Sequence, residues 1–206
     1  MVINSLKFFP VSSGEDFRDL FLALAASPPD AAKPTKFEQF APSHPAVPAA
    51  AATASTPDSF ADEEYYGVDA FVFVNAAGKR QAVRYQMVPE RVVHLDAADA
   101  AKRPPDFLID ELIERLKREK VVFHLKAQLA EPGDPTKDAT KPWPEDRKVV
   151  ELGVLTIDKA VANSIEAQKA LVFLPGQLTD GIEPSDDPLI DVRNGAYAES
   201  FSRRSP

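Results

Sequence analysis

The sequence predicts an α+β fold built on an antiparallel sheet, and three observations lead there. Strand-like runs arrive as hairpins, with no regular strand–helix–strand alternation of the kind a parallel sheet requires. Two segments show helical periodicity with a matching charge order. At 206 residues, with 44% hydrophobic and 27% charged residues, the chain has the composition of an ordinary globular protein and the length for one sizeable domain, residues 1–206.

Taken in order, Val2 to Phe9 reads as a short strand stopped by Pro10, which withholds a backbone donor. Ser13 is placed to cap a helix with Glu15 and Asp16 in its first turn and Phe17, Leu20, Phe21 and Leu24 on one face. Ser27 to Pro57 is rich in Ala and Pro and is expected to thread short helices over the surface. Ala70–Asn75 and Gln81–Val88, rich in β-branched and aromatic residues and joined through Gly78, form a hairpin signal.

Asp106 to Arg118 carries Leu108, Leu112, Ile113 and Leu116 on one face, acidic residues early and basic residues late, so a helix is expected with its charges in solvent. Val121–Leu129 and Val149–Ile157 read as strands separated by a loop whose prolines and glycine forbid regular structure. Pro188 to Arg204 has mixed helical character with Gly195 inside it. Five strands follow from this count, fewer than an eight-stranded barrel needs.

Composition excludes several functions. The net charge of −8 and pI near 5.0 oppose binding to nucleic acid. The absence of cysteine removes disulfides, thiolate metal sites, iron–sulfur clusters and cysteine nucleophiles together. No apolar run approaches the roughly 20 residues that span a bilayer. The start lacks the pattern of an export signal, so the compartment stays open between cytoplasm and periplasm. Ser185-Asp186-Asp187 has the look of a cation-binding carboxylate cluster, but the following Pro188 suggests a turn at a helix start.

The most informative residues lie near the carboxyl end. Arg193 and Tyr197, four apart on a helix, fall one turn apart on one face. A guanidinium beside a phenol stabilises its phenolate and makes it a metal ligand; the plain alternative is an ordinary surface pair. His44, His94 and His124, with no paired acid or metal-ligand spacing in the sequence, read as solvent, loop and strand surface.

Four ordered segments resemble the catalases. They are Tyr66-Gly67-Val68-Asp69-Ala70-Phe71 with Val74-Asn75-Ala76-Ala77-Gly78, Asp134-Pro135-Thr136-Lys137 with Trp143-Pro144, Leu178 to Ile182 with Ser185 to Leu189, and finally Arg193 with Tyr197. The stretch 128–146 and the ending AYAESFSRR are more similar to the small catalase-related peroxidases.

The resemblance implies a catalase-like antiparallel β-barrel, incomplete at the amino terminus, with added helices. It implies a haem b cofactor whose iron is bound by Tyr197, with Arg193 keeping that tyrosine ionised and Arg204 pairing with a haem propionate. On the other face of the haem it matches Asn4 to the residue that holds the peroxide oxygen, and Phe9 and Phe17 to the pocket walls. No residue matches the family's distal histidine, which would fall before Met1, and Asp69 stands where many catalases carry a histidine.

The implied activity is a peroxidase that reduces hydrogen peroxide or organic hydroperoxides with a small organic reductant and has weak catalase activity. The rival expectations are an inactive haem-binding remnant and an iron-free, lipocalin-like binder of small ligands. An exposed sheet edge would also favour association between copies of the chain.

Overall fold

A computed structural model describes residues 1–204. Its frame is an antiparallel sheet of β1 (Tyr65–Tyr66), β2 (Phe71–Val74), β3 (Arg80–Pro89), β4 (Val121–Leu129), β5 (Val149–Ile157) and β6 (Ile182–Pro184). The order is β5-β4-β3-β2-β6, and β1 also pairs with β3. Since β4 occupies one edge of β3, β1 and β2 follow each other along the opposite edge. The sheet is antiparallel and open and carries helices, so the expectation of an α+β fold with an incomplete antiparallel barrel holds.

The hairpin forms as predicted. Asn75 Oδ1 accepts from the backbone N–H groups of Ala77 (3.0 Å) and Lys79 (2.9 Å), and Gly78, at φ 74°, supplies the left-handed residue that closes the turn. β4 and β5 span the predicted residues and pair in register, except for a bulge that leaves Leu152 unmatched between Gly153 opposite Leu125 and Glu151 opposite Lys126. The very short β1 and β6 escaped the sequence reading, because two or three residues carry no periodicity.

The first expected strand does not form. Asn4 makes one bridge to Tyr66, and its side-chain oxygen takes the Leu6 N–H at 2.7 Å, which turns the chain locally. Phe9 then bonds to Ala139 in the 130–148 loop through its backbone N–H (2.8 Å). With their donors committed to a turn and a loop, residues 2–9 have no second ladder partner.

Seven α-helices are described: α1 (Gly14–Ala25), α2 (Lys36–Phe40), α3 (Ala46–Ala51), α4 (Ala97–Ala100), α5 (Phe107–Arg115), α6 (Ser164–Lys169) and α7 (Pro188–Arg204). The Ser13 hydroxyl caps α1 by accepting from Asp16 N–H (3.1 Å). The buried stripe of α1 is narrower than expected. Leu20 and Ala23 are buried and Phe17 is half-buried, but Phe21 and Leu24 are exposed.

On α5, Leu112 and Leu116 pack against Met87, Val121 and Phe123 of the sheet, whereas Ile113 is exposed. Its charged face is not wholly solvated. Arg115 is buried, donating to Asp62 (2.9 Å) and to Glu111 (2.7 Å), and Arg91 reaches the same Asp62 at 2.8 Å. That buried ionic knot fixes α5 to the 3₁₀ turn at Phe60–Asp62. The core that positions α7 is the cluster of Phe9, Val11, Leu20, Val47, Val68, Ala139 and Leu189, with Phe17 packed against it. No helix among the described residues is long and apolar enough to cross a membrane.

Candidate haem-ligand site

The site is organised by the start of α7. Asp187 precedes Pro188, whose missing N–H costs nothing at the first helical position. The Asp187 carboxylate accepts from Leu189 N–H at 3.0 Å, and its own N–H donates to Ser185 Oγ at 3.3 Å. This capping turn is the structural role of the Ser185-Asp186-Asp187 cluster. Asp186 faces outward to Lys137 (2.9 Å), and the described residues contain no group of acids and histidines arranged to hold a metal ion.

With α7 fixed at that end, Leu189 and Ile190 enter the core and Arg193 follows one turn later, buried. Its guanidinium works in two directions. Nη1 donates to Oδ2 of the buried Asp69, while Nε and Nη2 both donate to the Tyr197 hydroxyl, at 3.3 and 3.2 Å. Tyr197 is half-buried and borders a cavity of about 360 Å³ lined by Met1, Val2, Ile3, Val172, Phe173, Ser200 and Arg204. Two N–H donors of one cation aimed at one phenol oxygen stabilise negative charge on it.

Behind this pair lies a second layer of charge. Asp187 and Asp69 are both buried, and Asp187 Oδ2 and Asp69 Oδ1 have no protein partner. Burial pushes the Asp187 carboxyl up to about 6; the Leu189 N–H opposes that rise and the charge of Asp69 adds to it. Burial also raises Asp69, against the attraction of Arg193. Arg84 is the counter-cation. It is pulled down to about 10 by burial, with Asp187 and Asp69 acting against the fall.

The Arg84 guanidinium lies 4.6 Å from the Trp143 ring centroid and donates to the carbonyls of Lys141 (2.7 Å), Asp138 (3.2 Å) and Pro135 (3.4 Å). The irregular 130–148 loop thus owes its shape to a cation that the sequence presented only as one residue of a strand. A larger cavity, about 770 Å³, opens beside Arg84 and Trp143 and shares no lining residue with the Tyr197 cavity.

Of the residues singled out from sequence, the structure brings Tyr197, Arg193 and Arg204 onto one face of α7. Arg204 donates to the backbone carbonyls of Leu171 (2.6 Å) and Gln168 (3.3 Å). Phe9 and Phe17 stack at 5.0 Å between centroids in the core, and neither they nor Asn4 line the Tyr197 cavity. His94 lies in a loop and His124 on the surface of β4 as expected, but all three histidines meet an acid that the sequence did not show. Nε2 of His44 lies 3.3 Å from Asp16, Nε2 of His94 lies 3.2 Å from Glu63, and Nδ1 of His124 lies 3.2 Å from Glu151. His44 is also stacked on Phe40 at 3.8 Å instead of standing in solvent.

Sequence reasoning placed Asp187 in the turn at the start of α7 but missed its burial, and it missed the buried roles of Arg84 and Arg115. Buried ion pairs between distant segments leave no local pattern.

Comparison with known proteins identifies the family and the fold. Residues 1–205 match the Catalase family model. A catalase-related peroxidase of Synechococcus elongatus is 34% identical over 210 aligned residues, covering all of this chain and 62% of that protein. One from Mycolicibacterium paratuberculosis is 36% identical over 199 residues, covering 94% of this chain and 62% of its own length. The chain thus spans 62% of the length of these curated relatives. The crystal structure of a fungal catalase superposes with a TM-score of 0.87 over 100% of this chain and 45% of that one, at 19% identity. The fold is that of a catalase, and the chain belongs to the catalase family.

Proposed function

We propose that this chain supplies the tyrosine-ligand side of a haem b site and that the protein reduces hydrogen peroxide or organic hydroperoxides with a small organic reductant, with weak catalase activity. The observation that carries the reading is the Tyr197 oxygen receiving two N–H groups of the buried, carboxylate-anchored Arg193. The donor set fits the group. A tyrosine oxygen suits ferric iron, and the neighbouring Val172, Phe173 and Ile3 suit the apolar porphyrin face. The family relationship supports the same cofactor.

Haem, when bound, supplies the redox chemistry, and the protein tunes it. Tyr197 would hold the iron. Arg193 stabilises charge on the Tyr197 oxygen, and Asp69 fixes the guanidinium so that its two donors stay aimed. Asp187 sets the start of α7 and so the position of both residues along the helix. Arg204 is the cation for a propionate. On the peroxide side, the Asn4 side-chain oxygen is taken by Leu6 N–H, which leaves its amide N–H₂ to donate to a peroxide oxygen. Phe9 and Phe17 hold that segment against the core.

The test is titration of the full chain with hemin. A ferric spectrum of the tyrosinate type is expected, lost in Tyr197→Phe, together with peroxide-dependent oxidation of a dye. Unchanged hemin binding and spectrum in Tyr197→Phe would overturn the ligand assignment. Hemin binding with no dye oxidation would overturn the peroxidase reading and support a haem-binding protein without turnover.

A further inference from the structure

Asp69 and Asp187 are 3% and 4% exposed, one standing two residues before β2 and the other just before α7. The sheet brings them together. β2 and β6 run antiparallel with Phe71 opposite Pro184, and one step further Ser185 N–H donates to the Ala70 carbonyl at 3.3 Å. The same register carries Asp69 level with Asp186, the neighbour of Asp187. Asp186 turns outward to Lys137, and Asp187 turns into the core, within reach of the charge on Asp69.

Each acid spends one oxygen and keeps one. Asp69 Oδ2 accepts from Arg193 Nη1, and Asp187 Oδ1 accepts from Leu189 N–H at 3.0 Å. Asp69 Oδ1 and Asp187 Oδ2 have no protein partner. The neighbouring cations do not supply one. Arg84 donates through Nη1 and Nη2 to the carbonyls of the 130–148 loop, its Nε bonding to neither acid, and the remaining donors of Arg193 go to Tyr197. Of the other acids on that side, Asp138 is bonded to Thr140 and Asp134 to Arg147.

Two bare carboxylate oxygens in a low-dielectric interior repel each other, whereas a single proton turns the repulsion into an O–H···O⁻ bond that satisfies both. The partners decide where it resides. A guanidinium keeps Asp69 ionised, while Asp187 is met only by a neutral N–H.

We propose that Asp187 and Asp69 share one proton, donated by Asp187 Oδ2 to Asp69 Oδ1, and that this bond is an acid clasp fastening the start of α7 to β2 below neutral pH and letting go as the pH rises. Burial, with the charge of Asp69 added to it, raises the Asp187 carboxyl from 3.8 to about 6, so the clasp is closed at pH 5 and open at pH 7.5. It rests on the chain's own contacts and does not depend on the haem reading.

The test is carbon-13 NMR of the full chain labelled at aspartate Cγ, with Asp69 and Asp187 assigned in the parent by through-bond correlation to the backbone. At pH 5, exchange of H₂O for D₂O should move both resonances, because one hydrogen is bonded to both carboxyls. Both should also titrate with a single midpoint near 6. An isotope effect and a titration confined to Asp187 would mean a solitary buried acid and overturn the sharing. No titration of either group above pH 5 would overturn the proposal outright. In Asp69→Asn the like charge is gone, and Asp187 should need about tenfold more acid to hold its proton. Asp138→Asn, which removes an acid already bonded to Thr140, should change that requirement far less. A folded Asp69→Asn whose Asp187 titrates as in the parent would again overturn the pairing.

Discussion

Asp187 is buried with one oxygen unpartnered and its carboxyl raised to about 6, so ionising it works against the fold. Between its ordinary value of 3.8 and about 6 the folded protein keeps a proton that the unfolded chain has released. Stability from this group is therefore fully present below pH 3.8 and falls as pH rises through that window. A rise of about two units corresponds to about 3 kcal/mol.

Asp187→Asn removes the titration yet keeps an oxygen to accept from Leu189 N–H, and one N–H of its new N–H₂, lacking a partner, adds a cost of about 1 kcal/mol that does not depend on pH. Urea unfolding, followed by the fluorescence of Trp143, the single tryptophan and a buried one, measures the difference. Relative to the parent, the variant should gain about 2.5 kcal/mol between pH 4 and pH 7.5, a relative shift of about 0.8 M in midpoint for a slope near 3 kcal/mol/M. A parent-to-variant difference that is the same at both pH values would refute the reasoning, because it would mean that Asp187 has the same acidity folded and unfolded.

Three further outcomes follow from the buried ion pairs. Asp69→Asn leaves Arg193 without its counter-charge and should cost about 3 kcal/mol in the same unfolding assay, whereas Asp69→Leu combined with Arg193→Met should recover most of that loss. Arg84→Met removes three carbonyl contacts and the cation over Trp143. It should cost about 2 to 3 kcal/mol and move the Trp143 emission to the red as the 130–148 loop loosens. Asp62→Ala strands Arg115 and Arg91 and should cost about 3 kcal/mol, seen in thermal unfolding by circular dichroism, with Arg91→Ala costing far less because Arg91 is exposed.

The legible elements were those with their own local code. β4, β5 and α7 occupy the predicted residues because alternation, or Pro and acid at a helix start, is written into consecutive positions. Residues 2–9 look like a strand by composition, yet a strand needs a partner along its length, and only Tyr66 provides one. On α1 the periodic apolar residues outnumber the partners available, so Phe21 and Leu24 stay in solvent.

By itself the sequence determined the class of the fold, the hairpin, the helix that carries the site, and the one-turn spacing that makes Arg193 and Tyr197 neighbours, since each is a short-range consequence of backbone geometry. Tertiary structure alone decided that Arg193 is held by Asp69, 124 residues away in the chain, that Arg84 shapes the 130–148 loop, that Asp187 is buried beside these charges, and that Arg204 meets the carbonyls of Leu171 and Gln168. The reason is physical. A buried charge is stable only beside an opposite charge or a matched set of donors, and which distant residue supplies it depends on how the sheet and α7 pack, which no local spacing records.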